Sequence, residues 1–270
     1  MSAAADYSPI DAASAASRRR PPVVTRKGET MRLQPVRAFK AVRRLMSDKE
    51  DTAAVFDLMR ALTGKAIPNG YARLLKSPEG GRIAYEHDEL ADRLMDRAWL
   101  ESFGPGTVGA AYLAHMDERG FTADGLSKIS QETADAQIEA AHPLVWYGRR
   151  LRDVHDIWHV LSGYRTDGLG EACLVAFSYS QTKSLGFGVI ALAAANEFRK
   201  VGNGQPYAAA IRQAWKNGKA AKWLPEVDYP SLFAESLEAA RTRLNIASPT
   251  IYQSIPPELR DKIGAPAMAA

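Results

Sequence analysis

The chain has 270 residues, 46% hydrophobic and 24% charged, with a formal net charge of +4, which is the composition of a globular protein able to bury a core in one large or two small domains. Its single cysteine, Cys173, excludes an intramolecular disulfide framework and any cysteine-based zinc cluster, so a metal would have to be held by nitrogen and oxygen. The basic residues are scattered and no nucleic-acid-binding module accompanies them, so nucleic acid is not an expected partner and the charge implies mild affinity for anionic surfaces.

Residues 1–30 are rich in Ala, Ser, Arg and Pro and read as a disordered tail. They hold no apolar run of signal-peptide length, and Asp6 and Asp11 count against a mitochondrial transit peptide. From 31 to 258 the pattern is helix after helix with Gly and Pro punctuation, which predicts a single all-α domain, and 259–270 read as a flexible tail. VRAFKAVRRLM (36–46) places Val36, Phe39, Val42 and Leu45 on one stripe, with Arg37, Lys40, Arg43 and Arg44 largely off it. Such a basic amphipathic helix either packs on the core with its charges solvated or lies on a membrane surface. Helices are expected over 51–64 and 88–103, the latter capped by Asp88, with PNGYARLLKSPEGG as connections between them. Thr107 caps a helix that Gly120 ends, and the helix through SQETADAQIEAAH stops at Pro143. A helix from Pro143 to about Ser162 is broken by Gly163, Gly168 and Gly170, and Glu171 begins a long apolar helix to about Phe198. Two more follow near 206–221 and 230–245. The longest apolar stretch, Leu185 to Ala195, is shorter than the roughly 20 residues of a membrane-spanning helix.

The chemistry concentrates in RRLRDVHDIWHVLSGYRTDGLGE (149–171). On a helical wheel with His155 at zero, His159 falls near ~40° and Asp156 near ~100°, so the three side chains share one arc, and the imidazoles are about 6 Å apart along the axis. Two histidines one turn apart can converge on one ion. After a glycine-bearing loop, the Glu171 carboxylate could double back and close the ligand set. Such a shell suits Zn²⁺, or Fe²⁺ of the two-histidine carboxylate kind, better than Mg²⁺ or Ca²⁺, and the residues do not choose between zinc and iron. The plainer alternative is two hydrogen-bonded core histidines, with Asp156 orienting an imidazole and Glu171 favoured by the helix dipole. A zincin protease is disfavoured because Asp156 replaces the catalytic glutamate of H-E-x-x-H. An HD-type phosphohydrolase is a weaker enzyme alternative, because its further ligands would have to come from His87 with Asp88 or from His115, none in a distinctive setting.

HDIWH followed by eleven residues and Glu171 is similar to the H-D-x-x-H-x(11)-E signature of the coenzyme Q biosynthesis protein four family. RLRDVHD (150–156), PGTVG (105–109) and LGE (169–171) resemble further family motifs, and the likeness extends from about Asp51 to Ile246. Leu151 stands where an aromatic is expected, and Val108 replaces a leucine. The resemblance implies that His155, Asp156, His159 and Glu171 hold a divalent metal, Zn or Fe(II), in an all-helical fold. It also implies a cytoplasmic protein peripheral on the inner membrane surface, or on the matrix-side membrane in a mitochondrion, acting on a polyprenylated benzoquinone precursor beside other ubiquinone-biosynthesis proteins. The activity implied is removal of the ring carboxylate from a 4-hydroxy-3-methoxy-5-polyprenylbenzoate, with or without hydroxylation of the same carbon; a non-catalytic scaffold or lipid-binding role is the alternative. Arg150 and Arg152, one turn before the ligands, are candidates to grip the substrate carboxylate, against a solvated face or a salt bridge to Asp153 or Asp156. Leu174, Phe177, Leu185, Phe187 and Ile190, with small residues Gly186, Gly188, Ala191 and Ala193 to Ala195, either line a channel for the prenyl tail or are plain core. A homo-oligomer is left open.

Overall fold

The computed structural model describes residues 33–47, 52–120, 142–201 and 204–261. The protein is all-α; among the described residues there is no strand, only an isolated bridge between Thr107 and Ser236. The N-terminal tail and most of the helix expected over 130–142 lie outside the described residues.

Helix α1 (Pro35–Ser47) packs on α2 (Thr52–Thr63). The apolar stripe faces the core only in part: Val42 packs against it, but Val36 and Phe39 are 68% and 64% exposed, and Ala38 and Ala41 are buried. Small alanines let the two helices approach closely, and Arg37 and Arg44 both reach Asp57 of α2, at 2.7 and 3.1 Å. The stretch expected to be connections folds into α3 (Ala66–Leu74) and α4 (Pro78–Glu86). Ser77 accepts the Gly80 N–H, and Pro78 sits in the first turn, where its missing N–H costs nothing. The single helix expected over 88–103 is two short ones, α5 (Leu90–Leu94) and α6 (Arg97–Glu101), because Asp96 rather than Asp88 supplies the side-chain cap. Thr107 caps α7 (Val108–Glu118) as its sequence suggests, accepting from the Ala110 N–H.

The stretch from Pro143 to Ser162 is not continuous. Val154, at φ −79° and ψ −6°, interrupts it, giving α8 (Pro143–Asp153) and α9 (His155–Ser162). Gly163, at φ +77°, closes α9 in the left-handed conformation that favours glycine. Gly168 and Gly170, expected as breakers, form the first turn of α10 (Gly168–Thr182), whose cap is Asp167. The long apolar helix expected from Glu171 onwards is divided at left-handed Lys183 into α10 and α11 (Leu185–Val201). Helix α12 (Tyr207–Ala220), a 3-10 turn (Leu224–Glu226) and the short helices α13 (Tyr229–Leu232), α14 (Leu237–Arg243), α15 (Thr250–Ser254) and α16 (Pro257–Asp261) complete the chain.

Helix α10 is the central element. It is apolar on nearly every side, and residues 168–178 are all buried, which is the pattern of a helix surrounded by others rather than lying on a surface. It packs along α12 and α11 and touches α9. Gly218 lets α12 approach closely, since a Cβ there would lie 2.6 Å from the Phe177 carbonyl oxygen. Gly186 and Gly188 serve the same purpose and leave no channel: their would-be Cβ atoms meet Met59 Sδ at 2.5 Å and the Tyr179 ring at 3.1 Å. Leu174, Phe177 and Ile190 are core, whereas Leu185 is exposed. One buried polar chain is fully paired: Trp158 Nε1 donates to Tyr229 Oη (2.7 Å), which donates to the Leu224 carbonyl (2.9 Å).

The start of α10 depends on Asp167, which accepts the Gly170 N–H at 2.8 Å and also the Tyr252 hydroxyl from α15. Asp167→Ala therefore removes a cap and orphans a phenol, and we expect it to lower unfolding free energy by about 2–3 kcal/mol, read from denaturant midpoints, with Tyr252→Phe costing about 1 kcal/mol.

Candidate metal centre

Three elements meet at the cluster. His155 and His159 sit one turn apart on α9, their ring centroids 4.9 Å apart and their planes at 88°. Glu171 comes from the first turn of α10, brought there by the reversal through Gly163 and the Asp167 cap. His159 Nε2 lies 3.2 Å from Glu171 Oε1, and His155 Nε2 lies 3.5 Å from Oε2. His159 and Glu171 are buried; the His155 side chain keeps 21% of its surface and forms the open side. Ligand atoms of His155, Asp156 and His159 lie within 4.8 Å of one another.

The hydrogen bonding tests whether a cation fits. His159 Nδ1 is 2.8 Å from the Tyr164 carbonyl oxygen, which can only accept, so Nδ1 carries a proton and Nε2 is turned toward Glu171. Neither His159 Nε2 nor Glu171 Oε2 has a hydrogen-bond partner among the described residues, although both are buried. Buried polar atoms without a partner are unfavourable, and a cation between the imidazole and the carboxylate would satisfy both. A backbone carbonyl fixing the far nitrogen is also the usual support of a metal-ligating histidine. The donor set of two imidazoles and carboxylate oxygens fits a divalent cation such as Zn²⁺ or Fe²⁺.

Charge follows geometry. Burial pushes the Glu171 carboxyl up, but contacts with His155 and His159 more than reverse this and hold it at about 2. Burial acts on Asp156 in the same way and is outweighed by His115, Arg119 and the two ligand histidines, which keep it well below the usual carboxylate range. Asp156 Oδ1 accepts from Arg119 Nη1 at 2.6 Å, and His115 Nε2 is 3.9 Å away. One of its oxygens is thus engaged by a guanidinium, whereas those of Glu171 face the two imidazoles.

His115 stands out in the sequence only as a candidate further ligand without a distinctive setting, and Arg119 not at all. They project from α7 with Tyr112, and the His115 ring stacks on His159 at 5.5 Å and 25°. The spacing 112, 115, 119 places all three on one helical face, and that periodicity was the available signal. Tyr112 is buried beside Asp156, and burial, then the charges of Asp156 and Asp153, push its phenol up, so it stays protonated. His87 and Asp88 are not brought to the cluster: the His87 ring packs on Trp146 at 4.7 Å, and the Asp88 carbonyl accepts from Trp146 Nε1. The two arginines have other partners. Arg150 is buried, donates to the Val227 and Pro225 carbonyls (2.6 and 3.4 Å) and lies over the Tyr229 ring, tying α8 to the 224–229 segment. Arg152 pairs at the surface with Asp153, 2.8 Å away.

Fold and site together define an all-helical protein with a buried two-histidine carboxylate cluster at the meeting of α7, α9 and α10. The model of the family Coenzyme Q (ubiquinone) biosynthesis protein Coq4 matches residues 29–250, and the chain belongs to that family, which serves ubiquinone biosynthesis. It is 28% identical over 187 residues to the human mitochondrial ubiquinone biosynthesis protein COQ4 homolog, covering 67% of this chain and 65% of the human protein. Against the Danio rerio homolog it is 26% identical over 180 residues, covering 66% and 64%. The matched segment thus spans just under two thirds of these relatives' length. A crystal structure of a Nostoc punctiforme protein assigned to ubiquinone biosynthesis aligns with a TM-score of 0.57 at 20% identity, over 79% of this chain and 99% of that one, and shows the shared fold.

Two outcomes test the geometry. A Cβ on Gly170 would lie 1.9 Å from the Arg165 carbonyl oxygen, so Gly170→Ala must shift the loop that delivers Glu171. We expect retained helical circular dichroism but at least about tenfold weaker zinc binding by competition with a chelating dye. In metal-free protein the Glu171 carboxylate, ordinarily near 4.5, is held at about 2 by its folded contacts. A depressed carboxyl contributes stability that is complete above its unfolded value and lost as pH falls through the folded one, so acid melts should drop between pH 4.5 and 2, and Glu171→Gln should flatten that limb.

Proposed function

We propose that this protein removes the ring carboxylate of a 4-hydroxy-3-methoxy-5-polyprenylbenzoate, using a divalent cation held by His155, His159 and Glu171 with Asp156 beside them. The observation that carries the reading is the buried meeting of His159 and Glu171, where His159 Nε2 and Glu171 Oε2 both lack a hydrogen-bond partner, in a chain whose family serves ubiquinone synthesis. The substrate's 4-hydroxyl is para to the carboxylate and makes the carboxylate-bearing carbon electron-rich. A proton adds to that carbon, the carbon–carbon bond breaks, its electron pair returns to the ring and CO₂ departs. One proton is consumed, one CO₂ is released, and aromaticity is restored.

When bound, the cation supplies Lewis acidity and a positive charge that orients the substrate carboxylate. The chain's own residues do the rest. Glu171 and His159 are rigid because each is buried and set by a neighbouring element, while His155 lies on the open side, where a planar ring can approach. Arg119 and His115 keep Asp156 ionised, so it acts as an acceptor and an electrostatic anchor rather than as the acid. Tyr112, still a phenol, is buried beside Asp156 and keeps water from that side.

The test is mass spectrometry of lipid extracts from cells lacking the protein, complemented with wild type, His159→Ala or Glu171→Ala, alongside metal content of each purified protein. We expect a polyprenylated hydroxybenzoate still bearing its carboxylate to accumulate, with rescue by wild type alone and loss of bound metal in both variants. The product mass separates a ring carbon left with hydrogen from one left with hydroxyl. Full rescue by metal-free variants would overturn the proposal and favour a non-catalytic scaffold.

A further inference from the structure

On another part of the molecule, α3, α8 and the junction of α10 with α11 enclose a cavity of about 600 Å³, within the range of ligand sites. Its lining includes three cations, Lys65, Arg73 and Lys183, and no carboxylate. Among the described residues none of the three forms a salt bridge. Arg73 lies 4.3 Å over the Trp223 ring, whose Nε1 is anchored to the Gln181 carbonyl at 3.0 Å, and both residues line the cavity. Lys183 holds the left-handed position that divides α10 from α11, and burial, then Lys219 and Arg73, lower its pKa below the usual lysine range. Positive groups gathered in a recess that no carboxylate lines are the arrangement of an anion site.

The rest of the wall is apolar, and it continues outward. Leu33 and Leu185 stand at the rim, half exposed. Leu33 leads into the exposed Val36 and Phe39 on α1; Leu185 leads, at one- and two-turn spacing, into Val189 and Leu192 on α11, the last 74% exposed. Two strips of uncovered hydrocarbon thus leave the mouth of a cationic recess. Left-handed Gly64 and close-packed Gly70 keep the recess open at its floor, since a Cβ at Gly70 would lie 2.6 Å from Tyr147 Oη.

We propose that this cavity receives the phosphate headgroup of an anionic phospholipid in a bilayer surface, with Lys65, Arg73 and Lys183 on the phosphate and the two apolar strips against the acyl chains. Charge complementarity selects an anion, and the uncovered strips select one that carries hydrocarbon. No lining residue belongs to the metal cluster, so this inference stands or falls apart from the decarboxylase reading.

The experiment is cosedimentation of the full chain with phosphatidylcholine vesicles, with or without phosphatidylglycerol. Wild type should bind the anionic vesicles and leave the neutral ones in the supernatant. Each cation removed should cost about fivefold, so Lys65→Gln/Lys183→Gln should lose roughly 25-fold. The control is Arg93→Gln/Arg212→Gln, which removes the same charge outside the cavity and should lose far less. Thermal melts and metal content of both double variants should match wild type, since these side chains are exposed and make no ion pair. Equal losses in the two variants would show diffuse charge attraction and overturn the proposal. So would calorimetric binding of inorganic phosphate that depends on Lys65 and Lys183 in a protein indifferent to vesicle composition.

Discussion

The Glu171 carboxylate, buried between two imidazoles, is the constraint around which the molecule is arranged. An ionised carboxylate inside a protein costs several kcal/mol unless it is met by compensating charge in good geometry. That requirement fixes the reversal between α9 and α10. Gly163 turns the chain in the left-handed conformation, Asp167 caps the returning helix, and Gly170 presses against the Arg165 carbonyl where no larger residue fits. Helix α10 can carry a charged residue at its head because the remainder is among the most completely buried helical surface in the fold.

Around that contact lies a second layer that sets protonation. The Tyr164 carbonyl holds a proton on His159 Nδ1, and α7 brings Arg119 and His115 to Asp156. The four acidic and imidazole groups of the sequence motif are therefore not equivalent. His155, His159 and Glu171 face one another, and the fourth, Asp156, shares an oxygen with a guanidinium. The motif reads as one set of ligands, whereas the fold divides it into three groups that meet and a fourth that also faces an arginine.

The sequence shows the all-α class, the Thr107 cap, the Gly163 stop and the His155/His159 face because each rests on local periodicity or local capping. It hides what depends on partners far along the chain. The break at Val154 has no glycine or proline to announce it. Gly168 and Gly170 look like breakers, yet Asp167 places them inside a first turn, where glycine is tolerated. Val36 and Phe39 satisfy the pattern of a core-facing stripe, but α1 turns Ala38, Ala41 and Val42 to the core and leaves those two outside, because close helix approach favours small residues over large ones. His115 and Arg119 acquire meaning only when α7 is laid against α9, a tertiary event that spacing within α7 cannot disclose. Arg150 and Arg152 illustrate the reverse: proximity in sequence suggested the site, and the fold spends them on carbonyls and a neighbouring aspartate.

The latch on the metal loop comes from near the end of the chain. The Tyr252 hydroxyl donates to Asp167 and accepts the Arg165 N–H, and its ring packs on Tyr164 at 5.4 Å, with Arg260 over its other face at 4.3 Å. Both residues that flank the loop are therefore held by segments synthesised after almost everything else. A nascent chain with α7, α9 and α10 already outside the ribosome would possess every candidate ligand but not the clamp that positions Glu171. Placement of Glu171 is thereby coupled to synthesis past residue 252, and a chain cut short before it would carry the whole motif without its clamp.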